Sequence, residues 1–253
     1  MTTEGPRSYT TSALDATLEA KQAARERVWT LLERARIVPV PPGAHDRIPN
    51  FHRAPEATAR LVELPEWQAA HVIKSNPDKA QGPARVRALQ AGKLLYMAVP
   101  RLKGEHPFVL LDPDNLPGRA EDAATAEGGM ALGCPVSIEE MQPIDFVLCG
   151  SVAINATGAR LGKGGGYADL ELAFLIEAGL LSHEAAVVTT VDDLQVLDDP
   201  LPETGHDFRV DIIVTPTRAI RTTERRRPAG VLWEHLDPAQ VAAIPVLARR
   251  QRS

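Results

Sequence analysis

The glycine-rich segment from Gly158 to Asp169 constrains the fold of this chain more than any other stretch; it reads GARLGKGGGYAD. A strand-like apolar run ends before it, near Ile154, and an amphipathic, helix-like run begins at Tyr167. Glycines allow backbone N–H groups to approach an anion, and the N-terminus of a following helix adds positive potential. Arg160 and Lys163 supply cations within the segment. The pattern predicts a strand, a loop and a helix that together bind nucleotide phosphates.

Of two familiar phosphate-binding loops, the sequence excludes one and disfavours the other. A P-loop has four residues between its first glycine and the Gly-Lys pair and then Ser or Thr, whereas three residues separate Gly158 from Gly162 here and glycine follows Lys163. The dinucleotide-binding fingerprint requires glycine where Tyr167 stands, and no acidic residue lies in the expected ribose-binding setting near position 187. A glycine-rich surface turn without a ligand stays open as the alternative.

Composition sets the class of protein. The chain has 253 residues, 44% of them hydrophobic, which is enough for a full core, and such lengths often form one α/β domain. The net charge of −5 gives no reason to expect nonspecific binding to nucleic acid. Cys134 and Cys149 lack metal-type spacing, which favours reduced thiols. Because no apolar run approaches about 18 residues and no signal-peptide pattern is present, we expect a cytoplasmic protein without membrane segments.

Residues 218–253 depart from this overall acidity, with eight arginines against three acidic residues. They form either a basic contact surface or a solvated terminal segment whose arginines lie near helix ends. Both interpretations stay open at the level of sequence.

A long helix is predicted near the N-terminus, capped by Thr11 or Ser12 and running to about Arg36. Lys21 and Arg25 are four residues apart, so both cations leave this helix on one face. They either hold a polyphosphate together or belong to an ordinary solvated face.

The rest of the chain alternates between helical and strand patterns, which favours a mostly parallel sheet covered on both faces. Residues 37–57 and 112–133 are rich in loop-forming residues and are predicted to lack regular structure. The predicted segments are 55–67 (helix), 71–74 (strand), 83–91 (helix), 94–99 (strand), 108–111 (strand), 167–178 (helix), 185–191 (strand) and 210–215 (strand).

Several motifs together resemble the 5-formyltetrahydrofolate cyclo-ligases, also called methenyltetrahydrofolate synthetases. The glycine segment is preceded by Asp145-Phe146-Val147-Leu148 and Ala153-Ile154-Asn155, in the order and spacing of that family's signature. Two further fits are Lys21-Gln22-Ala23-Ala24-Arg25 and His206-Asp207 followed by Asp211-Ile212-Ile213-Val214-Thr215. The resemblance covers most of the chain. It implies one cyclo-ligase-like domain over residues 1–253 with a three-layer α/β/α fold.

The resemblance also implies a reaction, the ATP- and Mg²⁺-dependent conversion of 5-formyltetrahydrofolate to 5,10-methenyltetrahydrofolate. The formyl oxygen attacks the γ-phosphoryl group, the second folate nitrogen attacks the activated carbon, and phosphate leaves. Such a reaction depends on positioning and charge stabilisation. The implied catalytic residues are Arg160, Lys163 and Tyr167. The implied nucleotide-binding residues are Lys21, Arg25, Arg160, Gly162, Lys163, Gly164, Gly165, Gly166 and Tyr167.

Asp169 and Asp207 are the implied Mg²⁺ ligands, since Mg²⁺ commonly takes one or two carboxylates together with phosphates and waters. Each has an alternative interpretation. Asp169 suits the first turn of a helix, where the macrodipole favours an acid, and Asp207 suits a turn.

Three positions depart from the family pattern, which commonly has Asp at Asn155, Tyr at Ala168 and Glu at Pro216. The combination resembles a divergent branch, the methenyltetrahydrofolate synthetase domain-containing proteins. Two hypotheses follow: a cyclo-ligase acting on 5-formyltetrahydrofolate or a related amide, or a non-catalytic, regulatory paralogue that binds nucleotide or folate. Aromatic residues are only 4% of the chain and no RNP-like motif is present, so no nucleic-acid partner is expected.

Overall fold

In the computed structural model, residues 7–251 are described, without the side chains of residues 7–12 and 183. The strands are β1 Val72–Ser75, β2 Leu94–Ala98, β3 Phe108–Leu111, β4 Cys134–Val136, β5 Ile144–Cys149, β6 Ala153–Asn155, β7 Arg160–Leu161, β8 Leu181–Thr190, β9 Val196–Leu197, β10 Ile212–Val214 and β11 Ala219–Arg221. The helices are α1 Arg7–Arg34, α2 Ala54–Leu61, α3 Pro65–Ala69, α4 Gly82–Gln90, α5 Ala120–Ala123, α6 Ala126–Leu132, α7 Tyr167–Glu177, α8 Pro238–Ala243 and α9 Pro245–Arg250.

Within these residues, eight strands form one sheet in the order β11-β10-β8-β5-β1-β2-β3-β4. The central strands from β10 to β2 are parallel, and the pairs β10-β11, β2-β3 and β3-β4 are antiparallel. A second, small sheet has the order β7-β6-β9 and carries the strand that leads into the glycine loop.

Helices cover both faces of the large sheet, as the alternation of side chains along a strand requires. In β5, Val147 packs in one cluster with Phe174 of α7, whereas Leu148 packs in another with Trp67 of α3. Helices α7, α8 and α9 therefore cover one face, and α2 to α6 cover the other. The three-layer α/β/α architecture with a mostly parallel sheet is confirmed.

Helix α1 packs on the small sheet instead of on the large one. Its Val28, Trp29 and Leu32 are buried with Ala153 of β6 and Leu161 of β7. This packing brings the N-terminal helix to the glycine loop, although more than a hundred residues separate them in sequence.

Several predicted elements differ from the observed ones. Helix α1 begins at Arg7, so Thr11 and Ser12 lie inside it and neither is its cap. The predicted helix over 55–67 is two helices, because Leu64 precedes a proline and is extended. Residues 112–133 contain α5 and α6 instead of loop alone.

The direction of β3 follows from the length of its connection. Only residues 99–107 separate β2 from β3, and a parallel crossover needs a dozen or more. The two strands are antiparallel as a result. Among residues 7–251, no helix has the length and apolar character needed to span a membrane.

Candidate functional site

A cleft of about 330 Å³ lies beyond the carboxyl ends of β1 and β5, the usual position for ligands in an open α/β sheet. Its wall combines the glycine loop, the face of α1 that carries Lys21 and Arg25, and residues 76–78 after β1. All of the predicted site residues line this cleft: Lys21, Arg25, Arg160, Gly162, Lys163, Gly164, Gly165, Gly166, Tyr167, Asp169 and Asp207.

The predicted strand that ends near Ile154 is β6, and the predicted helix begins at Tyr167 as α7. The prediction that the whole segment from Gly158 is a loop is wrong at Arg160–Leu161, because these residues form β7 by pairing with β6; the glycine loop leaves β7 at Leu161. Gly164 and Gly166 have φ values of 104° and 68°, in the left-handed region that L side chains rarely adopt. Gly166 directly precedes α7, and the backbone turns there. The first N–H groups of α7 have no hydrogen-bond acceptor within the helix.

Arg160 is the central cation of the cleft and is 4% exposed. Its Nη2 donates to Asp169 Oδ1 at 2.9 Å, and its Cζ lies 4.1 Å from the centre of the Phe208 ring. Burial by itself would lower the pKa of Arg160, but Asp169 and other nearby acidic groups outweigh it and raise that pKa. Nε and Nη1 are buried and have no hydrogen-bond partner among the described residues. A charged guanidinium with two unpaired donors is suited to an anion.

Lys21 and Arg25 are 3% and 9% exposed, so they do not belong to a solvated face. Lys21 Nζ lies 2.6 Å from Asp207 Oδ2 and donates to Thr204 Oγ1 at 3.0 Å. Arg25 Nε donates to the carbonyl oxygen of Gly162 at 2.7 Å, which attaches α1 directly to the glycine loop. Burial lowers the pKa of Arg25.

Asp207 is held as a carboxylate. Its burial opposes ionisation, but hydrogen bonds from Lys21 and from the Thr204 backbone and hydroxyl group outweigh burial and lower the pKa of Asp207. Asp169 is paired with Arg160, and its side chain is 15% exposed. The two implied metal ligands and two implied phosphate cations thus form two ion pairs within the cleft, a pairing that the sequence did not predict.

No group of three His, Cys, Asp or Glu side chains arranged to hold a metal occurs in the part of the chain that the structure describes. The donor set therefore does not resemble an all-protein metal cage. Two carboxylates beside the glycine loop do fit Mg²⁺, which usually takes one or two carboxylates and completes its shell with phosphates and waters.

Lys163 and Tyr167 lie at the open side of the cleft. The Lys163 side chain is 48% exposed, and its Nζ is 3.8 Å from Asp78 Oδ1. Burial raises the pKa of Asp78, although Lys163 and neighbouring cations act in the opposite direction. Tyr167 is half-buried at the first position of α7.

A buried polar cluster next to the cleft was missed at the level of sequence. Lys74 of β1 and Glu171 of α7 form an ion pair, and Asn76 Nδ2 donates to Glu171 Oε2 at 2.6 Å. Burial raises the pKa of Glu171. Asn76 Oδ1 has no partner within the described residues. The available signal was the position of residues 76–78, directly after a central parallel strand, where ligand-binding residues concentrate.

Of the three departures from the family pattern, only Ala168 lines the cleft. Asn155 shapes a turn: its Oδ1 accepts from Thr157 Oγ1 at 2.8 Å and from the Ala159 N–H at 3.1 Å. Pro216 is buried, and its carbonyl accepts from Arg60 at 3.3 Å. Asn155 and Pro216 therefore lie outside the lining of the cleft.

Comparison with known proteins identifies the family. Residues 17–216 match the profile of the 5-formyltetrahydrofolate cyclo-ligase family. The chain belongs to this family. It is similar to proteins named methenyltetrahydrofolate synthase domain-containing protein, at 40% identity over 235 residues in Mus musculus and 38% over 236 residues in Bos taurus. Each match covers 90% of this chain but only 62% and 61% of the relative, so the chain spans about three fifths of those proteins.

A solved cyclo-ligase structure has the same fold. The NMR structure of Aquifex aeolicus 5,10-methenyltetrahydrofolate synthetase aligns with a TM-score of 0.51, covering 87% of this chain and 99% of that protein. The sequence identity is 21%, so the likeness concerns the fold alone.

Proposed function

We propose that this chain is an ATP- and Mg²⁺-dependent cyclo-ligase that converts 5-formyltetrahydrofolate, or a closely related N-formyl or amide compound, to a ring-closed product such as 5,10-methenyltetrahydrofolate. Membership of the cyclo-ligase family supports the class of reaction. The proposal of nucleotide binding rests on Arg160. Its Nε and Nη1 are buried beside the glycine loop and have no hydrogen-bond partner in the described part of the chain. Unpaired buried donors are costly, and an oxyanion would satisfy both.

In this proposal the phosphates lie on the loop. The backbone N–H groups of residues 164–166 and the start of α7 face them, and Arg160 donates from one side. Lys163, half-exposed at the open edge, moves from Asp78 toward the terminal phosphate. Lys21 and Arg25 act at fixed positions, because both are buried and hydrogen-bonded.

ATP supplies the phosphoryl group that turns the formyl oxygen into a leaving group. The chain contributes positioning and neutralisation of charge, which account for most catalysis in phosphoryl transfer. Arg160 and Lys163 bind the oxygens on which negative charge increases. Tyr167 lines the cleft beside them and orients the second substrate. Asp169 and Asp207 would hold Mg²⁺, which neutralises phosphate charge in reactions of this kind.

A non-catalytic paralogue is the second candidate, and one observation favours it. Lys21 is paired with Asp207 and Arg160 with Asp169, so each implied metal ligand already has a cationic partner. A site that binds nucleotide without turnover would keep these pairs unchanged, whereas a catalytic site would bring Mg²⁺ to the remaining oxygen of each carboxylate or open the pairs.

One set of measurements separates the two candidates. Mg·ATP is titrated into the protein by calorimetry, with and without 5-formyltetrahydrofolate, and methenyl-folate formation and phosphate release are followed in parallel. The cyclo-ligase is expected to bind ATP and to give both signals in equal amounts. ATP binding with neither signal would identify the non-catalytic paralogue for this substrate. Absence of ATP binding would refute the cyclo-ligase, and absence of binding of both ATP and 5-formyltetrahydrofolate would refute both candidates. Lys79→Ala, at an exposed residue outside the cleft, is the control for Lys163→Ala.

A further inference from the structure

The ring-closing step of the proposed reaction requires a proton acceptor. When the second nitrogen of the substrate attacks the activated carbon, its lone pair forms the new N–C bond and the nitrogen still carries a hydrogen. For the product to form, that proton must move to a base, and phosphate must leave with the electron pair of its C–O bond. The cations Arg160 and Lys163 cannot accept the proton, and Asp169 and Asp207 are assigned to Mg²⁺. The base is therefore a further residue of the cleft.

Asp78 is a sheltered carboxylate of the cleft whose oxygens are free to act. It lines the cleft three residues after the end of β1, and its side chain is 20% exposed. Lys163 Nζ is its ion-pair partner, at 3.8 Å from Oδ1, which is too long for a hydrogen bond. No donor among the described residues forms a hydrogen bond with either oxygen. Asp207, in contrast, accepts from Lys21 and Thr204.

The surroundings of Asp78 also suit its protonated form. Gln81 is fully buried, and its Nε2 donates to Thr190 O at 3.2 Å and to Thr190 Oγ1 at 3.0 Å, which fixes the amide. Its Oε1 has no partner within the described residues. A Cβ on Gly150 would lie 3.0 Å from Asp78 Oδ2 and 3.1 Å from Gln81 Oε1, so both oxygens border one small space that glycine leaves open. A proton on Asp78 would supply the donor that this acceptor lacks.

We propose that Asp78 is the general base that accepts the proton of the ring-closing nitrogen, a proposal that rests on the function proposed above. In the free protein Lys163 lies beside Asp78. When Lys163 binds the terminal phosphate instead, the carboxylate loses a cationic partner and becomes a stronger base. The transferred phosphoryl group is joined to the reacting carbon through one oxygen, so a carboxylate within reach of the same lysine lies near the attacking nitrogen. Binding of ATP thus prepares the base for the second step.

The other titratable groups that line the cleft are less suited to this role. Glu171 is 3% exposed, and its Oε2 already accepts from two side chains. His206 Nδ1 lies 3.0 Å from His235 Nδ1 and is occupied by that contact. Asp46 is exposed to solvent. Asp78 combines shelter from water with unoccupied oxygens, and its ionisation costs the folded state free energy, as is common for groups kept for catalysis.

The test separates phosphoryl transfer from ring closure within a single turnover. Protein in excess over 5-formyltetrahydrofolate is mixed with Mg·ATP and quenched at intervals, and ADP and methenyl-folate are measured in the same samples. Asp78→Asn should form ADP at the wild-type rate, whereas methenyl-folate formation should slow about 10²–10⁴-fold, the usual contribution of general acid–base catalysis. Asp78→Glu keeps a carboxylate and should recover part of the rate. Asp192→Asn is the matched control, because burial also raises the pKa of Asp192 but this residue lies outside the cleft; it should behave as wild type.

The pH dependence of the second step gives another measurement. A base must be ionised to accept a proton, so methenyl-folate formation by the wild-type protein should decline as the pH falls through the pKa of Asp78, which burial raises above 3.8. This decline should be absent in Asp78→Asn. The charged groups that face Asp78 are four cations and one carboxylate, namely Lys163, Arg85, Lys74, Arg160 and Glu171.

Two results for Asp78→Asn would overturn the proposal. Methenyl-folate formation at the wild-type rate would show that Asp78 is not the base. Equal slowing of ADP and methenyl-folate formation would assign Asp78 to nucleotide binding or phosphoryl transfer instead. If Asp78→Asn does not fold, the wild-type pH profile and Asp78→Glu decide, and an unchanged rate in both would overturn the proposal. Formation of neither ADP nor methenyl-folate by the wild-type protein would refute the proposed function, and this proposal with it.

Discussion

Arg160 and Arg85 are two buried arginines that differ in how many of their N–H donors have hydrogen-bond partners. This difference predicts that substitution by Met affects mainly nucleotide binding at Arg160 and mainly the free energy of unfolding at Arg85. Arg85 is 2% exposed; its Nε donates to Ala124 O at 2.7 Å, and Nη1 and Nη2 donate to the carbonyls of residues 76–78. Burial lowers the pKa of Arg85 to about 10. In Arg160, only Nη2 has a partner within the described residues.

Arg160→Met is expected to remove nucleotide binding with little effect on folding. A hydrogen bond to a charged group contributes about 1.5–3 kcal/mol, so two lost bonds to phosphate amount to about 3–6 kcal/mol, or about 10²–10⁴-fold in Kd. In the free protein, the lost bond to Asp169 is offset by removal of two unpaired buried donors, each of which costs about 1–3 kcal/mol. Asp169 is partly exposed and regains water. The free energy of unfolding should change by no more than about 2 kcal/mol.

Arg85→Met is the matched control for this prediction. It would leave carbonyl groups of residues 76–78 and Ala124 without their donor, and the expected loss is about 3–5 kcal/mol in the free energy of unfolding. The assays are urea unfolding of the free proteins and calorimetric titration with Mg·ATP. The reasoning is refuted if Arg160→Met destabilises the free protein as much as Arg85→Met does, or if it changes the Kd for ATP by less than about threefold.

Three further predictions concern charged groups of the cleft. Asp169→Asn should keep the fold and lose most Mg²⁺-dependent turnover, whereas ATP without metal should bind equally or slightly more tightly, because Arg160 loses its competing carboxylate. Phosphate release and titration with ATP in the absence of Mg²⁺ test this. Full activity of the variant would contradict the metal role of Asp169. Lys163→Ala should weaken ATP binding by about 1 kcal/mol, which is less than the about 1.5–3 kcal/mol of a buried charged hydrogen bond, because the Lys163 side chain is half exposed. Calorimetric titration of Lys163→Ala and Lys79→Ala with ATP tests this. Equal affinities of the two variants for ATP would exclude a contact between Lys163 and the phosphates. Burial raises the pKa of Asp78 above 3.8, so ionisation of Asp78 destabilises the folded state. Asp78→Asn should therefore raise the free energy of unfolding at pH 7. This gain should decline as the pH falls through the raised pKa of Asp78 and be absent below 3.8. Urea unfolding across this pH range would disprove the prediction if the gain were constant.

Local patterns in the sequence were enough to predict several individual elements of the fold. Strand β3 was predicted with its observed bounds, and α7, which follows the glycine loop, was predicted within one residue. These elements depend on short-range properties, namely runs of apolar residues and the glycines at which a strand must end and a helix begin. The left-handed conformation of Gly166 was not predicted individually, but it fits a glycine at the change from loop to helix, because glycine adopts positive φ without steric cost.

The grouping of the site residues was only partly accessible in this way. The shared face of Lys21 and Arg25 followed from helical spacing, but their burial against the loop depended on the packing of α1 on the small sheet. The pairing of Lys21 with Asp207 joins residues 186 positions apart, and no local pattern specifies such a contact. The sequence therefore predicted which charged residues belong to the site, whereas the packing of the elements determined which of them form ion pairs.

Other features were decided by tertiary structure alone. Lys74 looks like an ordinary strand residue in sequence, but the sheet buries it against Glu171 of α7, because the two elements lie on facing layers. The segment 230–240 shows only a basic neighbourhood in sequence, but it covers a cavity next to the loop through His235 and Gln240. Sequence patterns determine what each segment prefers locally, within a few residues. Which distant side chains meet, and which buried donors stay unpaired, depends on the packing of whole layers, which no single segment encodes.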